Sequence, residues 1–313
     1  MHPVLSPAAI MSRSPDTLHP DFLVIGGMKC ASTTLHDDLS RHPSIECGEK
    51  ELDALTDPGN ETVETIYRRN FAGATKDQIL GDVSTSYSML PDLLGIAEKA
   101  KAISDNMKII YLIREPVSRA VSHHQHMTNW SGKGQMGPDI NEAILVHSEL
   151  IDYSCYSMQL TPWRNAFGME NILVLRFEDY IANRQETIAK VFAFLGQTSI
   201  QLDLDEAGAN RSSNRLYAGK NMFKLYQSTV FKKCIRPLTP VFLKQGLRKL
   251  LLTKSKLVET PPTLETVDRI ISGVSADIEA LEETLGLSEP LWDFADVRRR
   301  RAPKPSQGFA DHE

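Results

Sequence analysis

The sequence has few cysteines, no long apolar run and no excess of positive charge, and each absence closes off a class of protein. Its four cysteines, at 30, 47, 155 and 234, form no C-x-x-C pair and no zinc spacing. This removes the zinc-ribbon and disulfide-framework readings and leaves reduced thiols in a cytoplasmic protein as the expectation. No apolar stretch approaches the roughly 20 residues of a membrane helix. The first residues lack a basic region followed by a long apolar run, so no signal peptide is expected. The formal net charge is −5 over 313 residues, which gives no global sign of a nucleic-acid partner. No internal repeat is visible. What remains is a chain that is 41% hydrophobic, enough for an ordinary core.

The charge is nevertheless uneven. Between Ala209 and Lys256 stand twelve Lys or Arg and no Asp or Glu. Such a block is either a solvated basic face or a surface for an anionic partner. Within it, 232–256 interleaves Phe242 and several leucines with its cations. That pattern suits a helix packed on the core, or a peripheral contact at the inner face of a membrane.

Apolar runs at Phe22–Ile25, Ile79–Asp82, Lys108–Ile113 and Asn171–Arg176 read as buried strands. Helical patterns follow each, at Ser32–Ser40, Leu90–Ala102, Val117–Met127 and Arg184–Leu195. Alternation of this kind predicts an α/β fold, with helices on both faces of a central, mostly parallel sheet. Thr263–Leu285 repeats apolar residues near a 3.6 period and ends at Gly286, a plausible stop. Residues 1–20, with four prolines, read as a mobile arm. Residues 21–295 read as one domain, and 296–313 as a disordered basic and polar tail.

The most informative segment is Phe22-Leu-Val-Ile-Gly-Gly-Met-Lys29-Cys30-Ala31-Ser32-Thr33-Thr34-Leu35. Strand, glycine turn and helix start form a geometry that presents backbone N–H groups and a favourable helix dipole to an anion. Lys29 adds a full charge, and three hydroxyls follow. The pattern departs from the Walker A motif, because Met28 separates Gly27 from Lys29 and the hydroxyls come three to five residues after the lysine. An ordinary strand–helix unit with a chance lysine is the alternative.

A second segment runs from Lys108 to His126. Its strand ends on Arg114, Pro116 fits the first turn of a helix, and Arg119 and Ser122 lie on that helix. An arginine at the strand end and Ser122 could grip one phosphate together. In a nucleotide triphosphatase the corresponding strand ends in a metal-holding aspartate. An arginine there would repel a metal, so two anion sites without a metal carboxylate suggest a nucleotide with phosphates at both ends.

Together these two segments resemble the sulfotransferases that use 3′-phosphoadenosine 5′-phosphosulfate (PAPS), especially the branch acting on glycans and its bacterial relatives. Weaker echoes occur in Ile79–Tyr87, Ile172–Tyr180, Val191–Gly196 and Ile278–Gly286. The resemblance implies a P-loop-like three-layer α/β/α fold and in-line transfer of a sulfuryl group, with PAPS as co-substrate, PAP as product and no metal. It implies that Lys29 neutralises charge on the leaving oxygen. Cys30, Ala31, Ser32, Thr33 and Thr34 would hold the 5′-phosphate and sulfuryl oxygens, and Arg114 and Ser122 the 3′-phosphate. Arg215, in the segment 210–220, resembles the late loop that closes over the nucleotide. The implied acceptor is a glycan, glycolipid or small alcohol.

The acceptor must lose a proton, so a base is expected. Lys50-Glu51 resembles the lysine–glutamate pair of the glycan branch, which makes Glu51 the candidate; a solvated surface glutamate is the alternative. Asp82 and His36 are the other candidates. His123, His124 and His126 do not match a standard zinc set. Tyr153 and Tyr156 either line an acceptor cleft or belong to the core. Two competing functions stay open at this level: a P-loop nucleotide kinase, and a non-catalytic nucleotide-binding relative. Oligomeric state carries no signal.

Overall fold

A computed structural model describes residues 18–56, 58–130, 136–202, 217–218, 252–253 and 260–302. Five strands form one sheet: β1 (Phe22–Val24), β2 (Ile45–Glu46), β3 (Ile79–Val83), β4 (Lys108–Ile113) and β5 (Ile172–Arg176). Their order is β2-β3-β1-β4-β5, and every pairing is parallel. A separate antiparallel pair joins Tyr217–Ala218 to Leu252–Thr253.

The period-2 alternation of the strands divides the core in two. Leu23, Ile25, Ile109, Tyr111 and Ile113 face one side. There they meet residues of α2 (Val63–Asn70), α3 (Ile96–Ile103), α7 (Tyr156–Phe167) and α10 (Leu264–Leu285). Phe22, Val24, Ile110 and Leu112 face the other side, against α1 (Ser32–Leu39) and α9 (Arg184–Phe194). Both faces of the sheet are covered, as a parallel sheet requires. A third apolar cluster joins α4 (Pro116–Trp130) to α5 (Ile140–Val146), α10 and α11 (Phe294–Arg301). Two short helices, α6 (Glu149–Asp152) and α8 (Phe177–Ala182), complete the set used below.

The chain passes from β1 to β2 and β3 on one side, then crosses to β4 and β5 on the other. The reversal falls at the carboxyl end of β1, the crevice where ligands of open α/β sheets bind. Among the described residues no helix is long and apolar enough to cross a membrane.

The expected strands and the helices after β1, β4 and β5 form within a few residues of their predicted bounds. Gly286 ends α10 in the left-handed region, at φ 65°. Three differences have physical causes. The helix expected over Leu90–Ala102 begins only at Ile96, because Gly95 takes a left-handed φ of 74° at its N-cap. Strand β2 went unpredicted: two residues between loops carry no period. The tail expected to be disordered from residue 296 is helical through Arg301. Asp293 caps that helix by accepting from Asp296 N–H, Val297 is buried, and Arg298 binds both oxygens of Asp268.

Candidate active site

The Gly26–Ala31 turn is shaped by close approach. A Cβ on Gly26 would lie 2.5 Å from Leu112 N, so only glycine lets β1 run this near β4. Gly27 N–H donates to Leu112 O (2.8 Å), and Cys30 N–H returns to Gly27 O (3.1 Å). Lys29 and Ala31 both hold φ of 73°, a left-handed conformation that costs non-glycine residues about 1 kcal/mol or more each. Helix α1 starts at once, with Leu35 N–H donating to Ala31 O (3.0 Å). No side chain caps it, since Ala31 occupies the cap position. By contrast α2, α5, α10 and α11 are capped by Thr62, Asp139, Thr263 and Asp293. The first-turn N–H groups of α1 therefore keep their affinity for an anion. Ser32 is buried there, Thr34 half-buried and Thr33 exposed. The Cys30 thiol is buried, and burial pushes its pKa up to about 12, so it stays protonated.

Arg114 leaves the end of β4 and closes over this turn. One guanidinium nitrogen donates to Lys29 O (2.9 Å), and the plane lies 4.2 Å from the Phe177 ring centroid. Its Nε is buried and has no hydrogen-bond partner among the described residues. Such a donor suits a phosphate oxygen, because a buried unpaired donor is costly. Tyr156 fixes the arginine's backbone: its hydroxyl donates to Arg114 O (2.6 Å) and faces Arg114 N (3.2 Å). This settles Tyr156 as core, fully buried against β4. Tyr153 is buried too, its hydroxyl bonded to Asp92.

Helix α4 follows. Glu115 caps it, accepting from Val117 N–H (2.6 Å) and Ser118 N–H (3.0 Å). Ser122 is half-buried two turns along. Arg119 is fully buried and bonds Ser154 Oγ and Leu150 O, fastening α4 to α6. The histidines also pack: His123 stacks on Tyr153, and His124 bonds Gly137 O (2.8 Å). Burial and the Arg119 charge push the His123 pKa down to about 2. Among the described residues no three His, Cys, Asp or Glu converge as a metal site.

The three candidate bases occupy very different settings. Asp82, in β3, is fully buried and accepts from Tyr67 Oη (2.9 Å), Tyr87 Oη (2.6 Å) and Ser84 Oγ (2.6 Å). Burial raises its pKa, but with no surface and three donors it is a core group and not a base for an acceptor. His36 is half-buried, and its Nε2 donates to Gly48 O (3.0 Å), which pins the 48–51 segment to α1. Glu51 alone of the three is exposed. Its N–H donates to Val83 O (2.9 Å) at the carboxyl end of β3. Its carboxylate accepts from Thr85 N–H (2.8 Å) and the Thr85 hydroxyl, and pairs with Lys50. The Ser84–Ser88 turn that carries Thr85 is tied to β1 by Ser84 N–H to Val24 O (3.2 Å) and Ser88 Oγ to Ile25 O (2.5 Å). Glu51 thus shares the carboxyl edge of the sheet with the Lys29 turn and Arg114. Arg215 lies outside the described residues, as do 210–220 except Tyr217–Ala218 and 232–256 except Leu252–Thr253. Sequence reading missed Thr85, Phe177 and the role of Tyr156, because none carries a local pattern.

Comparison with known proteins agrees with this geometry. The family model for the sulfotransferase domain matches residues 19–234. The chain is 24% identical over 246 aligned residues to human carbohydrate sulfotransferase 15, covering 56% of this chain and 43% of that protein. It is 27% identical over 135 residues to the membrane-associated sulfotransferase kil1 of Dictyostelium discoideum, covering 42% and 28% respectively. The aligned regions thus span less than half the length of these curated relatives. A crystal structure of a sulfotransferase from Alicyclobacillus acidocaldarius superposes with a TM-score of 0.60 at 18% identity, covering 90% of this chain and 99% of that one. That likeness establishes the shared fold. With its family match spanning both the Lys29 turn and Arg114, the chain belongs to the sulfotransferase family.

Proposed function

We propose that this protein transfers a sulfuryl group from PAPS to a hydroxyl of a carbohydrate or glycolipid. The observation that carries the reading is the pairing of an uncapped α1 N-terminus with Arg114, whose buried Nε has no partner among the described residues. Two anion-binding groups on one sheet edge suit a nucleotide with phosphates at its 5′ and 3′ ends. Lys29, with Ser32, Thr33, Thr34 and the backbone of Cys30 and Ala31, takes the 5′-phosphosulfate end. Arg114 and Ser122 take the 3′-phosphate.

The acceptor oxygen forms the new bond to sulfur as the bond from sulfur to the 5′-phosphate oxygen breaks. The electron pair leaves with PAP, where Lys29 neutralises it, and the acceptor proton passes to Glu51. Positioning and charge stabilisation carry the rate, as in phosphoryl transfer. The carbohydrate class is supported by the similarity to carbohydrate sulfotransferase 15 and by the Lys50–Glu51 pair.

Titration with PAP in EDTA tests the donor. Binding is expected without metal, and Arg114→Ala should weaken it about 10- to 100-fold, the worth of charge-assisted hydrogen bonds. No binding by the unaltered protein would sink the reading. Transfer of label from PAPS to a panel of glycans and alkyl glycosides then tests the acceptor class.

A further inference from the structure

The Glu51 side chain is exposed at the sheet edge, yet its position is specified by its neighbours. Glu51 and Asp53 hold left-handed φ of 56° and 54°, the two non-glycine residues in that region outside the Lys29 turn among those described. Thr85 meets Glu51 from a 3-10 turn and is itself buried at 6% exposure. Its N–H donates to Oε2 at 2.8 Å. Its hydroxyl lies 3.2 Å from Oε1 and 3.1 Å from Oε2, straddling the carboxylate. The neighbours of Thr85 grip the adjoining acid: Ser84 Oγ accepts from Asp53 N–H (3.1 Å), and Ser86 Oγ donates to Asp53 Oδ1 (2.5 Å). Lys50 also pairs with Glu51, but an ion pair at such an exposed carboxylate orients weakly.

We infer that Thr85 is a positioning residue for the reaction: it fixes the Glu51 carboxylate, through its N–H and hydroxyl, where the acceptor hydroxyl must lose its proton. This rests on the reading of Glu51 as the base. A glutamate side chain has three rotatable bonds, and a base acts only within hydrogen-bond reach of its proton. A carboxylate offers about four lone-pair sites. Thr85 and Lys50 occupy up to three of them, which leaves one for the acceptor. Because Ser88 bonds Ile25 O, the frame that holds Glu51 is the strand leading into the Lys29 turn. Base and donor site are thus referred to one rigid element.

The test is a double-mutant cycle on Thr85 and Glu51, read by PAPS turnover to PAP with water as acceptor and with the glycan panel, and by PAP affinity. Glu51→Gln should lower turnover about 100-fold, the typical contribution of a general base. Thr85→Val should lower kcat about 10-fold with PAP affinity and the KM for PAPS within about twofold, since only orientation is lost. Thr85→Ser should restore turnover to within about threefold of the unaltered protein, because it returns the donor. In the Glu51→Gln background Thr85→Val should cost nothing further. Equal loss in both backgrounds, or loss of PAP affinity in step with kcat, would overturn the proposal. Thr85→Ala runs through the same cycle as a second variant, with PAP binding as the check on folding. Full turnover by Glu51→Gln would remove the base and the proposal together. Failure of the unaltered protein to bind PAP would instead strike the donor reading.

Discussion

The Lys29 turn and the Lys50–Asp53 segment lie on the same sheet edge but treat their polar groups in opposite ways. The first leaves donors for a ligand: α1 has no side-chain cap, and Arg114 Nε is buried without a partner among the described residues. The second engages its acceptors internally, with Glu51 on Thr85 and Lys50, and Asp53 on Ser86. The difference separates donors left open to an anion from a carboxylate held in place by its neighbours. Binding energy for an anion comes from donors with no better partner. On the proposed reading, proton transfer calls for a carboxylate that is confined without being buried, and the buried Asp82 is the contrast.

The sharpest way to break the comparison is Lys29→Ala. If the turn stabilises charge that develops as PAP leaves, turnover should fall about 1000-fold while PAP affinity falls less than about tenfold. Rate measurements beside PAP titration decide it, and equal losses would make Lys29 a binding group only. A smaller effect, on stability, tests the support beneath the turn. Asp38 in α1 is fully buried and accepts from Arg184 Nε (2.8 Å) and Nη2 (2.6 Å) and from Tyr180 Oη. Asp38→Ala strands that arginine and should cost about 3 kcal/mol or more in urea unfolding. A loss well under 1 kcal/mol would show that α1 is held by packing alone. The smallest effect belongs to His36→Ala. Losing the bond to Gly48 O should cost about 1 kcal/mol of stability and lower turnover without moving PAP affinity. A drop in PAP affinity would mean that the two segments are not separable.

Legibility in the sequence followed the range of the interactions involved. Phe22–Val24 and Lys108–Ile113 were readable because burial on both faces demands unbroken apolar runs. The Lys29 turn was readable because a strand, two glycines and a helix start lie within one short stretch. Asp293 and Val297 instead make a helix from residues whose composition alone suggested disorder: the cap is local, but the burial of Val297 against α10 is not. Asp82 and His36 stood behind Glu51 as further candidate bases, and a residue's name does not state its solvent contact.

The sequence by itself determined the alternation of strands and helices, the glycine turn with Lys29 after β1 and the arginine at the end of β4. Each depends on the backbone geometry or burial of one short segment. Only the tertiary structure decided that Asp82 is sealed behind two tyrosines, that His36 ties α1 to Gly48, that Tyr156 holds Arg114 and that Thr85 holds Glu51. Those bonds join residues from 5 to 42 positions apart, four of the five bonds spanning 12 or more. They exist because the parallel sheet brings the ends of β1, β3 and β4 to one edge, which no local pattern of residues encodes.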